Sequence, residues 1–250
     1  MAIEKTIVEW AYEPSSYFEG SVIFPEKTYD ITLENGLASA ILSTPQDPVP
    51  GELLQAITER LEIIFMTRQL YVHKPFKLKG FSISQIQLDG SKSVHVNISD
   101  GVTAKSFTSQ ADVISTDKDG NVIYDSRATR ITEQFTQVES ILKKIKNIGL
   151  IKSLLGSYGR AVSDPSDELV HLYEIREALT KELGDKDNAV RLLGISKRKW
   201  DRLGILANKE PLEQGRHRGK HEVRRAASQH EIQEARDIAR ELIESYIRLH

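Results

Sequence analysis

The chain has no cysteine in its 250 residues. That absence removes disulfides, thiolate zinc sites and cysteine nucleophiles together, and it suits a reducing compartment. No apolar run reaches the roughly 20 residues a membrane-spanning helix requires. The opening Met1-Ala2-Ile3-Glu4-Lys5 has no basic stretch leading into an apolar one. The expectation is therefore a cytoplasmic protein with no membrane partner. The chain also lacks a G-x-x-x-x-G-K-[ST] phosphate loop, G-x-G-x-x-G, G-x-S-x-G and H-E-x-x-H, which excludes the commonest nucleotide, hydrolase and zinc-protease signatures. His217 and His221 are four residues apart, but only His230 is near enough in sequence to add a third imidazole. Arg216, Arg218 and Lys220 crowd them with positive charge, which opposes a dication. No metal and no cofactor is expected.

Hydrophobic content of 39% and charged content of 28% are ordinary for a globular chain with a core. The net charge of −2 conceals an asymmetry. Residues 1–65 hold three basic and eleven acidic side chains, whereas residues 195–225 hold ten basic and four acidic. A local basic block attracts an anion such as a nucleic-acid backbone, or else docks on the acidic half of its own chain.

Val8, Trp10 and Tyr12 alternate with polar neighbours, as do Tyr29, Ile31 and Leu33 before an Asn35-Gly36 turn and then Leu37 and Ile41. This pattern predicts a hairpin. Prolines from 45 to 50 break it, and Leu53, Leu54, Ile57, Leu61, Ile64 and Phe65 then recur at helical spacing. Strands are expected again at Phe81–Ile83 and at Val94, Val96 and Ile98, with a second hairpin turn at Asp119-Gly120 between Val113 and Val122. Residues 1–125 read as an α+β domain, of unassigned role and open to a protein partner. Residues 126–250 read as helical. Ile131, Phe135, Val138, Leu142 and Ile145 form one stripe, and Gly149, Gly156 and Gly159 are expected to interrupt the next segment. Asp164-Pro165 predicts a helix start. Leu169, Leu172, Tyr173, Leu179 and Leu183 follow, then short helices over 186–193 and 197–207. Ser228 and Glu231 form an S-x-x-E capping box before a stripe running from Ile232 to Leu249. That stripe predicts burial in a bundle or across a homodimer.

The densest candidate chemistry is Arg216-His217-Arg218-Gly219-Lys220-His221. An arginine fork grips phosphate oxygens and stabilises the extra charge of a pentacoordinate phosphorus. A histidine titrates near neutrality and can take the proton of a ribose 2′-hydroxyl or supply one to a departing 5′-oxygen. Arg225 and His230 repeat the same R-x4-H spacing. A second pattern, Ala189 to Ser196 followed by Trp200 and Leu203, has the form of a helix-turn-helix, with Lys197, Arg198 and Lys199 at the start of its second helix. The size of Trp200 and the charge of Asp201 favour an ordinary helical hairpin with Trp200 in the core, so DNA ranks below RNA as a partner. Arg218, Lys220, Arg224 and Arg225 complete the expected nucleic-acid-binding set. His95 is expected to be exposed and His171 packed, and Glu174 and Glu177 read as surface charge with the option of orienting an arginine or histidine.

R-x4-H with a polar residue after the arginine resembles the motif of the HEPN superfamily. The order of a mixed domain before a helical one is similar to the Apea-like HEPN group, as are Leu172-Tyr173-Glu174-Ile175-Arg176, Leu206-Ala207-Asn208 and the stretch from Pro211 to Gly219. The resemblance covers roughly residues 145–250. It implies a helical bundle, commonly dimeric, and a metal-independent endoribonuclease of the kind found in prokaryotic defence or toxin systems. By position it makes Arg216 the motif arginine, His217 its polar neighbour and His221 the motif histidine. Gly215 and Gly219 bracket the motif and predict a loop, where the family pattern has a helix start. Many HEPN-like domains are not nucleases, so a non-catalytic interaction or dimerisation module stays open beside the nuclease and the helix-turn-helix readings.

Overall fold

In the computed structural model the described residues are 3–96, 112–117, 119, 121–145, 148–216 and 223–249. They form an α+β protein. An antiparallel six-stranded sheet and a two-stranded ribbon are followed by a helical region. The strands are β1 (Ile3–Glu13), β2 (Val22–Pro25), β3 (Tyr29–Glu34), β4 (Leu37–Leu42), β5 (Lys77–Gln87), β6 (Lys92–Val96), β7 (Ile114–Thr116) and β8 (Val122–Asp125). The helices are α1 (Gly51–Val72), α2 (Ser126–Leu142), α3 (Ile148–Ser163), α4 (Glu168–Glu182), α5 (Lys186–Leu193), α6 (Lys197–Asn208) and α7 (Gln229–Leu249). Two compact units emerge, one of Met1–Phe65 with Phe76–Glu139, the other of Met66–Pro75 with Ser140–His250.

In the first unit the sheet order is β2-β3-β4-β1-β5-β6. Asn35 and Gly36 both take positive φ, 52° and 85°, as a two-residue hairpin demands. On β4 the core face differs from the sequence expectation. Ala38, Ala40 and Leu42 are buried, while Leu37 is 43% exposed. The register explains the phase. Ile31 pairs with Ala40 and Leu33 with Ala38, and directly paired residues share a face. Small residues thus sit opposite large ones on the buried side. Phe65 of α1 closes this core with an edge contact to Tyr12 at 5.0 Å and a stack on Tyr17 at 5.3 Å. β7 and β8 pair with each other, and Val113, Ile114, Val122, Ile123 and Tyr124 are all exposed. Gly120 of the predicted turn and Ile98 lie outside the described residues. His95 is exposed, in keeping with its position on β6.

The second unit is helical. Leu169, Leu172, Ile175 and Leu179 of α4 are fully buried, as are Ala235, Ala239 and Leu242 of α7. Gly149, Gly156 and Gly159 do not interrupt anything, because all three lie within α3. Gly159 has a packing reason: a Cβ there would meet Gln69 Oε1 at 3.0 Å. The start of α4 is also later than Asp164-Pro165 suggests. Asp164 instead accepts from the amide of Ser166 at 3.2 Å and its hydroxyl at 2.6 Å, a local turn that delays the helix to Glu168. Glu168 is buried and anchors the end of α1. Arg236 donates to both its oxygens, at 2.5 and 2.9 Å, and His73 Nε2 lies 3.3 Å away. Burial pushes the Glu168 carboxyl up, but the bonds from Arg236 and His73 win and hold it below the usual range. The capping box of α7 forms as expected: the Glu231 amide donates to Ser228 Oγ at 3.2 Å, and the Ser228 amide to Glu231 Oε2 at 2.9 Å.

Candidate functional site

Arg216 sits where the chain leaves α6. Its amide donates to the carbonyl of Ala207 in the last turn of that helix, at 2.7 Å, and the Gly215 amide donates to Leu212 at 3.1 Å. Gly215 fits because a Cβ would press within 3.1 Å of the Ala207 oxygen and 3.2 Å of the Leu212 oxygen. The described residues on either side of the motif are tied to each other. The Arg225 amide donates to Pro211 at 3.0 Å and the Glu213 amide donates to Arg225 at 3.0 Å, so Leu212 and Arg225 bridge like short parallel strands. Arg216 is thus in a loop, as the flanking glycines predict.

Its side chain is set by α4. Nη1 donates to Glu177 Oε1 at 2.5 Å, and the guanidinium carbon lies 5.1 Å from the centroid of Tyr173. The same ring receives Arg176, also at 5.1 Å, and Arg176 lies 5.4 Å from the ring of Trp200. The order is therefore Arg216, Tyr173, Arg176, Trp200, alternating cation and ring across α4 and α6. Cation–π attraction favours this packing, most strongly where water is excluded, as over the fully buried Trp200. Gly204 makes room, since a Cβ would lie 1.9 Å from Arg176 Nη1. The Glu177 hydrogen bond raises the Arg216 pKa against the opposing effect of burial, so the fork stays charged. Its side chain remains 40% exposed.

These contacts answer part of the sequence reading. Glu177 is paired with Arg216 rather than being plain surface charge, and Glu174 accepts from Arg160 at 2.8 Å. Tyr173, Arg176 and Glu177 are spaced i, i+3 and i+4, which puts them on one side of α4. That spacing was the available signal for the cluster, and Gly204 inside a helical pattern was a second. His217, Arg218, Lys220 and His221 lie outside the described residues. Arg225 is engaged elsewhere: its two terminal nitrogens each donate to Glu231 at 2.7 Å, and no bond joins it to His230. Arg224 is exposed and has no partner among the described residues. His171 is packed, 3.7 Å from Glu174 and 3.9 Å from Asp164. No group of three or more His, Asp or Glu among the described residues is arranged to hold a metal.

The α5–α6 pair has the local form of a helix-turn-helix. Asp185 caps α5, Gly194 takes φ 65° at the turn, and Ser196 accepts from the Lys199 amide to cap α6. Trp200 is buried in the core, as its size implies. Lys197 pairs with Asp187 at 3.4 Å and Lys199 with Glu241 at 2.6 Å, which leaves Arg198 as the cation of the three with no partner among the described residues. No described helix is long and apolar enough to cross a membrane. Comparisons with protein-family models, curated proteins and solved structures returned no match for the chain.

Proposed function

We propose that the chain is a metal-independent endoribonuclease of HEPN type, acting on RNA through Arg216, His217 and His221, and assembled as a homodimer in a prokaryotic defence or toxin system. The observation that carries the reading is the preset Arg216. Its backbone is pinned to α6, one donor is fixed by Glu177, one face lies against Tyr173, and the rest of the fork is open to solvent. A charge held in place before the substrate arrives costs little reorganisation when charge builds on phosphorus. RNA brings its own nucleophile. One imidazole takes the 2′-hydroxyl proton as the oxygen attacks phosphorus; the P–O5′ bond breaks, and the other imidazole protonates the leaving 5′-oxygen. The products are a 2′,3′-cyclic phosphate and a 5′-hydroxyl, with no co-reactant.

A structural arginine also makes a Glu177 pair and a tyrosine stack, and that observation favours the second reading, a non-catalytic interaction module. The test is cleavage of single-stranded RNA in EDTA by wild type, Arg216→Ala, His221→Ala and the exposed control His95→Ala. Each site substitution should slow cleavage about a hundredfold or more, and all-DNA substrates should survive. No cleavage by wild type, or cleavage unchanged in Arg216→Ala, sinks the nuclease. Light scattering that shows a monomer at micromolar concentration removes the homodimer.

A further inference from the structure

In the ribbon of β7 and β8, consecutive large apolar side chains stand in solvent. Val113 and Ile114 on one side of the hairpin, and Val122, Ile123 and Tyr124 on the other, are between 48% and 68% exposed. Among the described residues the two strands pair only with each other, so each has an open edge. Polar bonds set the two ends of the ribbon. At the base the Val113 amide donates to Ser126 Oγ at 2.8 Å and the Ser126 amide donates to Val113 at 3.0 Å. Asp125 Oδ1 accepts from the amides of Arg127 and Ala128 at 2.8 and 3.1 Å. At the tip Asp117 Oδ1 accepts from the amides of Asp119 and Asn121, both at 2.9 Å. The strand edge is thus laid out before a partner arrives, which lowers the ordering cost of binding. A two-stranded ribbon is marginally stable by itself, and a third strand that covers apolar side chains stabilises it. The charge is one-sided. Residues 112–125 hold Asp112, Asp117, Asp119 and Asp125 against Lys118 alone. Asp112 is matched by Arg130 at 2.5 Å. The other three acids bracket the apolar run of β8, with Asp117 and Asp119 before it in the chain and Asp125 directly after it.

We propose that the ribbon docks an extended segment of another protein, which adds to the β8 edge as a third strand and carries a short apolar run between lysines or arginines. Main-chain hydrogen bonds along the edge supply affinity, and side chains supply specificity. Cations at both ends of the segment meet the acids at both ends of β8. Two copies of this chain would bring the same acids together, so charge disfavours pairing of ribbon with ribbon, and it likewise repels a nucleic-acid backbone. The ribbon belongs to the first unit and Arg216 to the second, so the proposal stands with or without RNA cleavage.

The test is fluorescence anisotropy of a dye-labelled peptide, a run of valines between pairs of lysines, titrated with the full chain. Binding is expected with a Kd of about 1–100 μM. Ile123→Ser and Tyr124→Ser should each weaken it about tenfold, the effect of losing one apolar contact. The melting temperature should not change, because both side chains are exposed. Ile23→Ser, an equally exposed change on β2, should leave affinity as in wild type. N-methylation of the valines removes the peptide's donors along both edges and should abolish binding, as should glutamates in place of its lysines. No binding up to about 1 mM overturns the proposal. So does affinity unchanged in Ile123→Ser or by N-methylation, or a glutamate peptide that binds equally well. Sedimentation of the chain alone tests the other occupant. If wild type self-associates and Ile123→Ser does not, the ribbon is covered by a second copy and the foreign strand is rejected.

Discussion

Gly204→Ala should destabilise the helical unit, although it replaces a glycine inside α6 by the best helix former. On propensity alone the change gains about 1 kcal/mol. Its Cβ would begin 1.9 Å from Arg176 Nη1 and 2.9 Å from Cζ, so the guanidinium must retreat until the contact is about 3.4 Å. Arginine can move, and the cost is what it leaves. It now lies 5.1 Å from Tyr173 and 5.4 Å from Trp200. Cation–π contacts are worth about 0.5–1 kcal/mol when exposed and about 2 when desolvated, so some 2–3 kcal/mol is at stake. Losing most of it against the propensity gain leaves a net loss of about 1–2 kcal/mol. In an Arg176→Ala background the obstruction is gone, and the same substitution should stabilise by about 1 kcal/mol. The two changes should therefore couple by roughly 2–3 kcal/mol in a double-mutant cycle. Urea unfolding followed by tryptophan fluorescence measures it, since the chain's two tryptophans, Trp10 and Trp200, fall one in each unit. A Trp10→Phe background isolates the Trp200 signal. Equal stabilisation by Gly204→Ala in both backgrounds would refute the alternating stack.

Glu168→Gln leaves Arg236 and His73 facing a neutral amide in a buried position, and should cost about 2–3 kcal/mol in chemical denaturation, somewhat under the loss expected for a fully buried pair. A loss under about 0.5 kcal/mol, typical of a surface change, would contradict that role. The Arg225 fork beside Glu231, helped by the Ser228 amide and hydroxyl against slight burial, pushes its carboxyl from an ordinary 4.5 down to about 2. A depressed folded pKa means stability that is present above 4.5 and lost as pH falls through about 2. The loss in that window should shrink in Arg225→Ala, and a loss of the same size would reject the pairing. Ile114→Ser and Ile123→Ser replace side chains that are 61% and 68% exposed, so each should change unfolding free energy by less than about 0.5 kcal/mol. A larger loss would mean that the ribbon's apolar residues are covered.

Elements with a one-sided apolar pattern are legible from the order of the residues alone. β1, β3 and α7 follow their stripes, except that Leu249 at the end of α7 is exposed, and the Asn35-Gly36 turn and the Ser228–Glu231 box follow local chemistry that needs no distant partner. Where the residue pattern misleads, the missing information is a partner's position. The phase of β4 depends on its register with β3, and alanine carries too little hydrophobic signal to announce a core face. The glycines of α3 look like breakers until Gln69, from far along the chain, occupies the space beside Gly159. The Arg216 position is similar. That Arg216 lies in a loop is readable, because Gly215 marks it. That Glu177 and Tyr173 hold the arginine depends on α4 lying beside the end of α6, a tertiary fact that i, i+4 spacing hints at without naming the third element.

The same distinction limits the meaning of the basic block. Counted over 195–225 there are ten cations against four acids. Five of the ten meet carboxylates that lie outside that window: Lys197 with Asp187, Lys199 with Glu241, Arg202 with Glu234, Arg216 with Glu177 and Arg225 with Glu231. Arg198, Lys209 and Arg224 have no partner among the described residues, and Arg218 and Lys220 lie outside them. Those five and the open side of the Arg216 fork, six cations at most, are then available to phosphates without breaking a pair. Single-stranded nucleic acid releases about 0.7 counterion per phosphate contact, so log affinity against log salt should have a slope no steeper than about −4.2, where ten free cations would give about −7. Fluorescence anisotropy of a labelled single-stranded RNA between about 50 and 200 mM salt, the range in which the effect is largest, reads that slope. A value near −7 would mean that RNA binding opens the carboxylate pairs, and the preset Arg216 would lose its basis, because Glu177 would be displaced with the rest.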